Sequence, residues 1–330
     1  MWSFLTSMRT LANPQKVNNV KATKLSGVIP AIITPFYPDG GIDWPGLSSY
    51  TSWLKSIPGV TGLLVNGHAG EGTSLSVAER ARVIETVKSA AGEDLPILAS
   101  VGGDGSRVVA EEAEMAAASG ADVILVFPAP NWLRFGYQAG APRERYEAVA
   151  AAVGLPMILF QFPVETHAAF DLPTILDICE LDGVVAIKDG GRSMIRWDTD
   201  VPIIRREHPE LSILTCQDEF LLHTMWEADG ALVGYGALVP ELISELLEAA
   251  KAHDYDGAKA TYDRMAPLTQ VVYHRASHIE STAAMKVGLV QRGMIAHSTV
   301  RAPLMPLDVL AEQEIAHALA DAGVELGALA

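Results

Sequence analysis

Cysteine is scarce in this 330-residue chain: Cys179 and Cys216 are its only two. That excludes a disulfide framework and offers no metal-ligand spacing, so no metal is expected, and the pair suits a reducing, cytoplasmic setting. No stretch approaches the roughly 18 uninterrupted apolar residues of a membrane span. Positive charge is also short, with 24 Lys and Arg against 40 Asp and Glu and a net charge of −16. A nucleic-acid partner needs a basic stripe, which this balance argues against. Residues 1–38 carry no acid at all, only the bases Arg9, Lys16, Lys21 and Lys24. Such a segment resembles an organelle-targeting stretch in its lack of acids but is poor in arginine. A loosely ordered N-terminal extension over 1–24 is the expectation.

What the chain does have is apolar residues, 49% of the total and ample for a sizeable core. From residue 28 short apolar runs alternate strictly with amphipathic segments. Strands are expected at Val28–Ile33, Thr61–Val65, Ile97–Val101, Val123–Phe127, Met157–Phe162, Val184–Lys188, Ser212–Thr215 and Ala231–Val233. Helical periodicity fills the intervals, including 76–91, which Ser76-Val77-Ala78-Glu79 opens as a capping box, and 217–227. Eight strand–helix units without a composition break predict a parallel (β/α)8 TIM barrel over 25–254. Three more helices, near 256–274, 279–291 and 307–322, form a C-terminal helical region over 255–330. A doubly wound sheet competes, but Gly102-Gly103-Asp104-Gly105 does not fit G-x-G-x-x-G, so no dinucleotide or other cofactor is expected.

In such a barrel the chemistry sits just after the apolar runs, at the C-terminal ends of the strands. The run Val184-Val185-Ala186-Ile187 ends in Lys188, followed by Asp189-Gly190-Gly191. A strand buried on both faces seldom ends in an amine, because burying an ammonium is expensive. Two readings are open. The side chain snorkels its charge to the strand end, or desolvation lowers its pKa and makes it a nucleophile for a Schiff base. After the second strand comes Asn66-Gly67-His68-Ala69-Gly70-Glu71-Gly72. Its glycines suit either an ordinary turn or a nest of backbone N–H groups for an oxyanion.

Together these pieces resemble the family of dihydrodipicolinate synthase and N-acetylneuraminate lyase. The matching residues are Gly27-Val28-Ile29-Pro30-Ala31 running into Thr34-Pro35-Phe36, Gly67-x-x-Gly70-Glu71, Ile187-Lys188-Asp189, and Asp218 in the seventh unit. The resemblance implies a TIM barrel with a helical C-terminal region, assembled as a homotetramer. Lys188 then corresponds to the lysine that forms an imine with a small-molecule 2-oxo acid such as pyruvate.

The departures carry equal weight. Two hydroxyl residues of the family's glycine loop are His68 and Ala69 here, and the tyrosine ending the fifth strand is Phe160. A second tyrosine, after the fourth strand, falls near Pro130, and the distal-carboxylate arginine of the synthases falls at Glu165. A phenyl ring cannot move a proton, so His68 is the expected acid–base group. Gly67 and Ala69 are expected to hold the carboxylate through their backbone, with Phe160, Gln161 and Val233 lining the substrate. Gln161 either donates to a substrate oxygen or points away from the mouth. Arg134, with Asn131, Trp132 and Tyr137, lies where a second carboxylate could bind. His167, His223, His274 and His278 read as surface or structural. Two functions follow: a Schiff-base lyase, aldolase or dehydratase, acting on a 2-oxo acid, or a non-catalytic member that keeps a 2-oxo-acid or sugar-acid pocket.

Overall fold

The computed structural model describes residues 24–327. The N-terminal extension expected over 1–24 lies outside these residues, save Lys24. Eight strands form one parallel sheet: β1 (Gly27–Pro30), β2 (Leu63–Val65), β3 (Ile97–Val101), β4 (Val123–Val126), β5 (Met157–Gln161), β6 (Val184–Asp189), β7 (Ser212–Thr215) and β8 (Gly230–Val233). β1 pairs with β8, and the order then runs down through β7 to β2. Parallel bridges Val28–Val60 and Ala31–Leu64 bring β1 to β2 and close the barrel.

Helices cover the outside: α1 (Trp44–Ser56), α2 (Val77–Ala91), α3 (Ser106–Ala118), α4 (Trp132–Phe135), α5 (Ala141–Ala152), α6 (Leu172–Cys179), α7 (Met194–Glu207), α8 (Leu221–Thr224) and α9 (Pro240–Lys251). α10 (Tyr255–Tyr273), α11 (Glu280–Gln291) and α12 (Val309–Asp321) form the C-terminal region. Among the described residues no helix is long and apolar enough to cross a membrane. The capping box at Ser76 forms, with Ser76 N donating to Glu79 Oε2 at 2.8 Å and Glu79 N to Ser76 Oγ at 3.3 Å.

The strands separate two apolar layers. Residues such as Ile29, Leu64, Leu98, Ile158 and Leu214 fill the barrel interior. Their neighbours, such as Val28, Val65, Ile97, Leu159 and Ile187, pack outward on the helices. This period-2 alternation is the geometry of a strand buried on both faces.

β6 departs from it in a way that matters. Val184 faces outward, so strict alternation would turn Lys188 outward as well. Instead the β5–β6 register shifts: Met157 pairs with Val184, but Ile158 pairs with Ala186. The extra residue, Val185, is a bulge that reverses the parity. Ala186 then points into the barrel, Ile187 outward, and Lys188 inward.

The helix expected over 217–227 shrinks to the single turn of α8. Its predicted first turn is occupied otherwise. Gln217 Nε2 donates to Asp189 Oδ1 at 2.6 Å, its Oε1 accepts from Arg192 N at 2.9 Å, and Asp218 turns into the barrel mouth. α4, a short turn after β4, has no counterpart in the expectation.

Candidate active site

Lys188 is 6% exposed and lines a cavity of about 540 Å³ at the C-terminal ends of the strands. Its ladder partner on β5 is Phe160, whose ring centroid lies 4.1 Å from Lys188 Nζ. Phe160 packs against Phe127 and Phe162, with centroids 5.2 and 4.8 Å away. His68 completes this aromatic wall, 4.7 Å from Phe127 and 5.8 Å from Phe162. Such tilted and edge-on contacts are the favoured arrangement of ring quadrupoles.

The His68 ring is open on its cavity side and walled by phenyl rings on the other. Desolvation among those rings, then the charges of Lys188 and His278, push its pKa down to about 4. Because water reaches the cavity side, the direction matters more than the size: His68 is a neutral imidazole, able to accept a proton.

The loop carrying His68 is built around close backbone approach. A Cβ on Gly72 would lie 2.1 Å from Asn66 O, and one on Gly70 2.9 Å from Ile32 O. Asn66 and Glu71 both adopt positive φ, 59° and 52°. Glu71 N donates to His68 O and Gly72 N to Gly67 O, each at 3.0 Å. The N–H groups of His68 and Ala69 have no protein partner among the described residues. They are the donors an oxyanion would need.

Glu71 pins this loop from behind. Its side chain is 1% exposed and its Oε1 lies 2.5 Å from Lys286 Nζ of α11, whose side chain is 0% exposed. Glu71 Oε2 accepts from Arg301 N at 2.8 Å, and Lys286 also donates to Thr299 O at 2.8 Å. Burial lowers the Lys286 pKa, with Glu71 opposing. Glu71 therefore holds the loop in place and does not face the cavity. Asp189 accepts from Gly191 N and Gln217 Nε2, and burial raises its pKa.

Opposite the aromatic wall stands a polar one. Cys216 follows β7 beside Lys188, and burial pushes its thiol up to about 12, with Lys188 opposing. Its Sγ is 3.9 Å from Asp218 Oδ2. Asp218 Oδ1 accepts from Tyr235 N at 2.9 Å and from the Tyr273 hydroxyl at 2.7 Å. Tyr273 ends α10 and stacks on His278 at 5.3 Å. Arg192, at φ 52°, reaches within 2.6 Å of His278 Nε2 and 3.2 Å of Glu219 Oε2.

The structure brings Lys188, Gly67, His68, Ala69 and Phe160 around one cavity and removes two expected residues from it. Gln161 is 2% exposed and turned outward: its Nε2 donates to Phe170 O and its Oε1 accepts from Phe170 N, both at 3.0 Å. Both ends of the amide are held by the Phe170 backbone, away from the cavity. Val233 also faces the helices, by strand alternation, and Gly234 takes the place at the cavity. Arg134 is exposed and lies over the Phe135 ring at 5.0 Å rather than in the cavity. Glu165 does line the cavity, where the resemblance would set an arginine.

His278 is at the cavity, not merely on the surface, whereas His223 pairs with Asp198 at 2.8 Å and His274 with Gln270 at 2.9 Å. Tyr273 and Arg192 were not legible as site residues. Tyr273 sits in the C-terminal helices, some 85 residues beyond Lys188, with only helical periodicity around it. Arg192 had one available signal, its place immediately after the glycines that follow Lys188.

The model of the dihydrodipicolinate synthetase family matches residues 24–322. A 4-hydroxy-tetrahydrodipicolinate synthase of Sorangium cellulosum is 32% identical over 300 residues, covering 89% of this chain and 95% of its own. An uncharacterized DapA-like lyase of Halobacterium salinarum is 31% identical over 315 residues, covering 91% and 95%. The crystal structure of a chloride-inhibited dihydrodipicolinate synthase from Acinetobacter baumannii, complexed with pyruvate, superposes with a TM-score of 0.81. It is 28% identical and covers 92% of this chain and 100% of its own. Matched over residues 24–322 by the family model and over most of its length by these relatives, the chain belongs to the dihydrodipicolinate synthetase family.

Proposed function

We infer that the protein is a Schiff-base lyase acting on a 2-oxo acid, with Lys188 as the nucleophile. The observation that supports this most directly is the inward turn of Lys188. A bulge spends one extra residue to set an amine, 6% exposed, in a cavity rimmed by free N–H groups. An amine shielded from water attacks a ketone carbon, and the iminium that follows withdraws electrons from the neighbouring bonds. The N–H groups of His68 and Ala69 take the substrate carboxylate, Phe160 shapes the floor beneath the imine, and neutral His68 accepts a proton from the leaving portion. A carbon–carbon bond breaks in an aldolase, a carbon–oxygen bond in a dehydratase. Replacement of the distal-carboxylate arginine by Glu165 favours a catabolic 2-oxo-acid substrate over that of the lysine-pathway synthase. A homotetramer in the cytoplasm is part of the same proposal.

The test is chemical trapping. Incubation with pyruvate and borohydride should add a reduced pyruvyl group to Lys188, located by peptide mass spectrometry. Lys188→Ala should show no adduct and lose turnover by roughly 10⁴-fold or more. Absence of any wild-type adduct, with pyruvate or a panel of 2-oxo acids, would reject the imine. An adduct without turnover across that panel would favour a binding member of the family.

A further inference from the structure

The hydroxyl missing from β5 has a counterpart across the barrel. Tyr273 comes from the end of α10, a helix outside the eight strand–helix units, yet its hydroxyl is in the cavity with Lys188. Three observations place that oxygen. It donates to Asp218 Oδ1 at 2.7 Å, and Asp218 is only 5% exposed and fixed by Tyr235 N. Asp218 Oδ2 lies 3.9 Å from Cys216 Sγ, and Cys216 is beside Lys188. Finally, Gly234 leaves the space open. A Cβ there would sit 3.3 Å from Tyr273 Oη and 3.8 Å from the Ala69 Cβ. The phenol oxygen thus stands between the loop that takes the substrate carboxylate and the residues that flank the imine nitrogen.

The geometry points to Tyr273 as a catalytic acid–base group of the lysine-imine chemistry, with Asp218 as the positioning residue that receives its proton. This rests on the imine assignment above. Its hydroxyl hydrogen is committed to Asp218, so its lone pairs remain as acceptors beside the open space at Gly234. The C3 proton of the lysine-bound 2-oxo acid passes to Tyr273 Oη as the phenolic proton moves to Asp218 Oδ1. The C3–H electron pair becomes the C2–C3 bond of the enamine, and the C2–N π pair returns to the Lys188 nitrogen. In reverse the same pair protonates C3 of the enamine. Burial, then Asp218, push the Tyr273 pKa well above its ordinary value, so the phenol holds its proton at neutral pH between turnovers. Cys216, a neutral thiol, spaces the carboxylate from Lys188 and is given no proton to carry.

The experiment separates C3 chemistry from imine formation, using pyruvate in D2O as the probe. Borohydride trapping reads the imine, and loss of the pyruvate methyl signal in proton NMR reads C3 exchange. Wild type should do both. Tyr273→Phe removes one oxygen, and it should still form the trapped adduct to completion while exchange slows by about 100-fold or more. Asp218→Asn, which keeps the shape and removes the proton acceptor, should show the same split. Trapping in each variant also certifies a folded cavity. A variant that traps nothing would assign these residues to building the site and overturn the proposal. Exchange within threefold of wild type in Tyr273→Phe would overturn it too, as would a wild-type adduct that never exchanges. Failure of wild-type trapping is a different outcome: it rejects the imine itself.

Discussion

The two walls flanking Lys188 differ in almost every physical respect. One consists of Phe127, Phe160 and Phe162 with His68 over them, rings in mutual contact and without a hydroxyl. The other gathers a thiol, a carboxylate, a phenol and a guanidinium on Cys216, Asp218, Tyr273 and Arg192. The first comes from loops and strand ends of β2, β4 and β5, and the second from β6, β7 and the C-terminal helices. The apolar wall excludes water from one flank of the amine, which strengthens every charge interaction on the other. An enzyme that loses hydroxyls from one side of a barrel need not lose proton transfer, since eight strand ends converge on one space.

The largest effect should come from releasing what holds the aromatic side in place. Glu71 and Lys286 are buried together behind the His68 loop. Removing one partner leaves a buried group unpaired, so Glu71→Gln should cost ~3–5 kcal/mol in urea unfolding. The double variant Glu71→Gln with Lys286→Met should recover part of that. A single-variant loss under about 1 kcal/mol would show that the loop stands without the clamp.

Replacing His68 itself comes next. His68→Ala should lower turnover by about 10²–10³-fold while leaving borohydride trapping of pyruvate intact, because the carboxylate donors are backbone groups. The pH profile sharpens this. Desolvation, then Lys188 and His278, hold the His68 pKa below the ordinary imidazole value, so its base form persists to lower pH than a solvated imidazole's. The acid limb that belongs to His68 should therefore lie below the ordinary imidazole value of about 6.5. A limb centred near 6.5 would mark an ordinary solvated imidazole. Unchanged turnover in His68→Ala would remove the proton role altogether.

How much of these walls could be read beforehand follows from how each is encoded. The barrel was legible because apolar runs and helical stretches alternate in local windows: Ile97–Val101 and Ser212–Thr215 fold over the expected residues, and the other strands differ only at their ends. The aromatic wall was legible too, since His68 and Phe160 follow or end strands. Gln161 and Val233 show the limit. Which face a strand end presents depends on parity, and a single bulge at Val185 changes it without any mark in the hydrophobic pattern. The polar wall was largely hidden. Asp218 lay inside an expected helix, and Tyr273 reaches the cavity only because α10 ends there, a tertiary fact with no local periodicity.

The smallest effect is the most direct trial of the asymmetry. Phe160→Tyr restores a hydroxyl to the end of β5, beside Lys188, without disturbing the polar wall. Phe160 is 5% exposed, and the rings around it offer no carboxylate to take a phenolic proton as Asp218 does for Tyr273. No carboxylate holds a phenol there, and the one base on this wall, the His68 imidazole, lies 6.3 Å from the Phe160 ring, centroid to centroid, so turnover should change by less than about threefold. The added oxygen must also fit against packed rings, which should cost about 1–3 kcal/mol in urea unfolding. A tenfold gain in turnover would reverse the comparison. It would mean that proton transfer still belongs to the β5 side and that the hydroxyl, rather than the wall, is what this chain lacks.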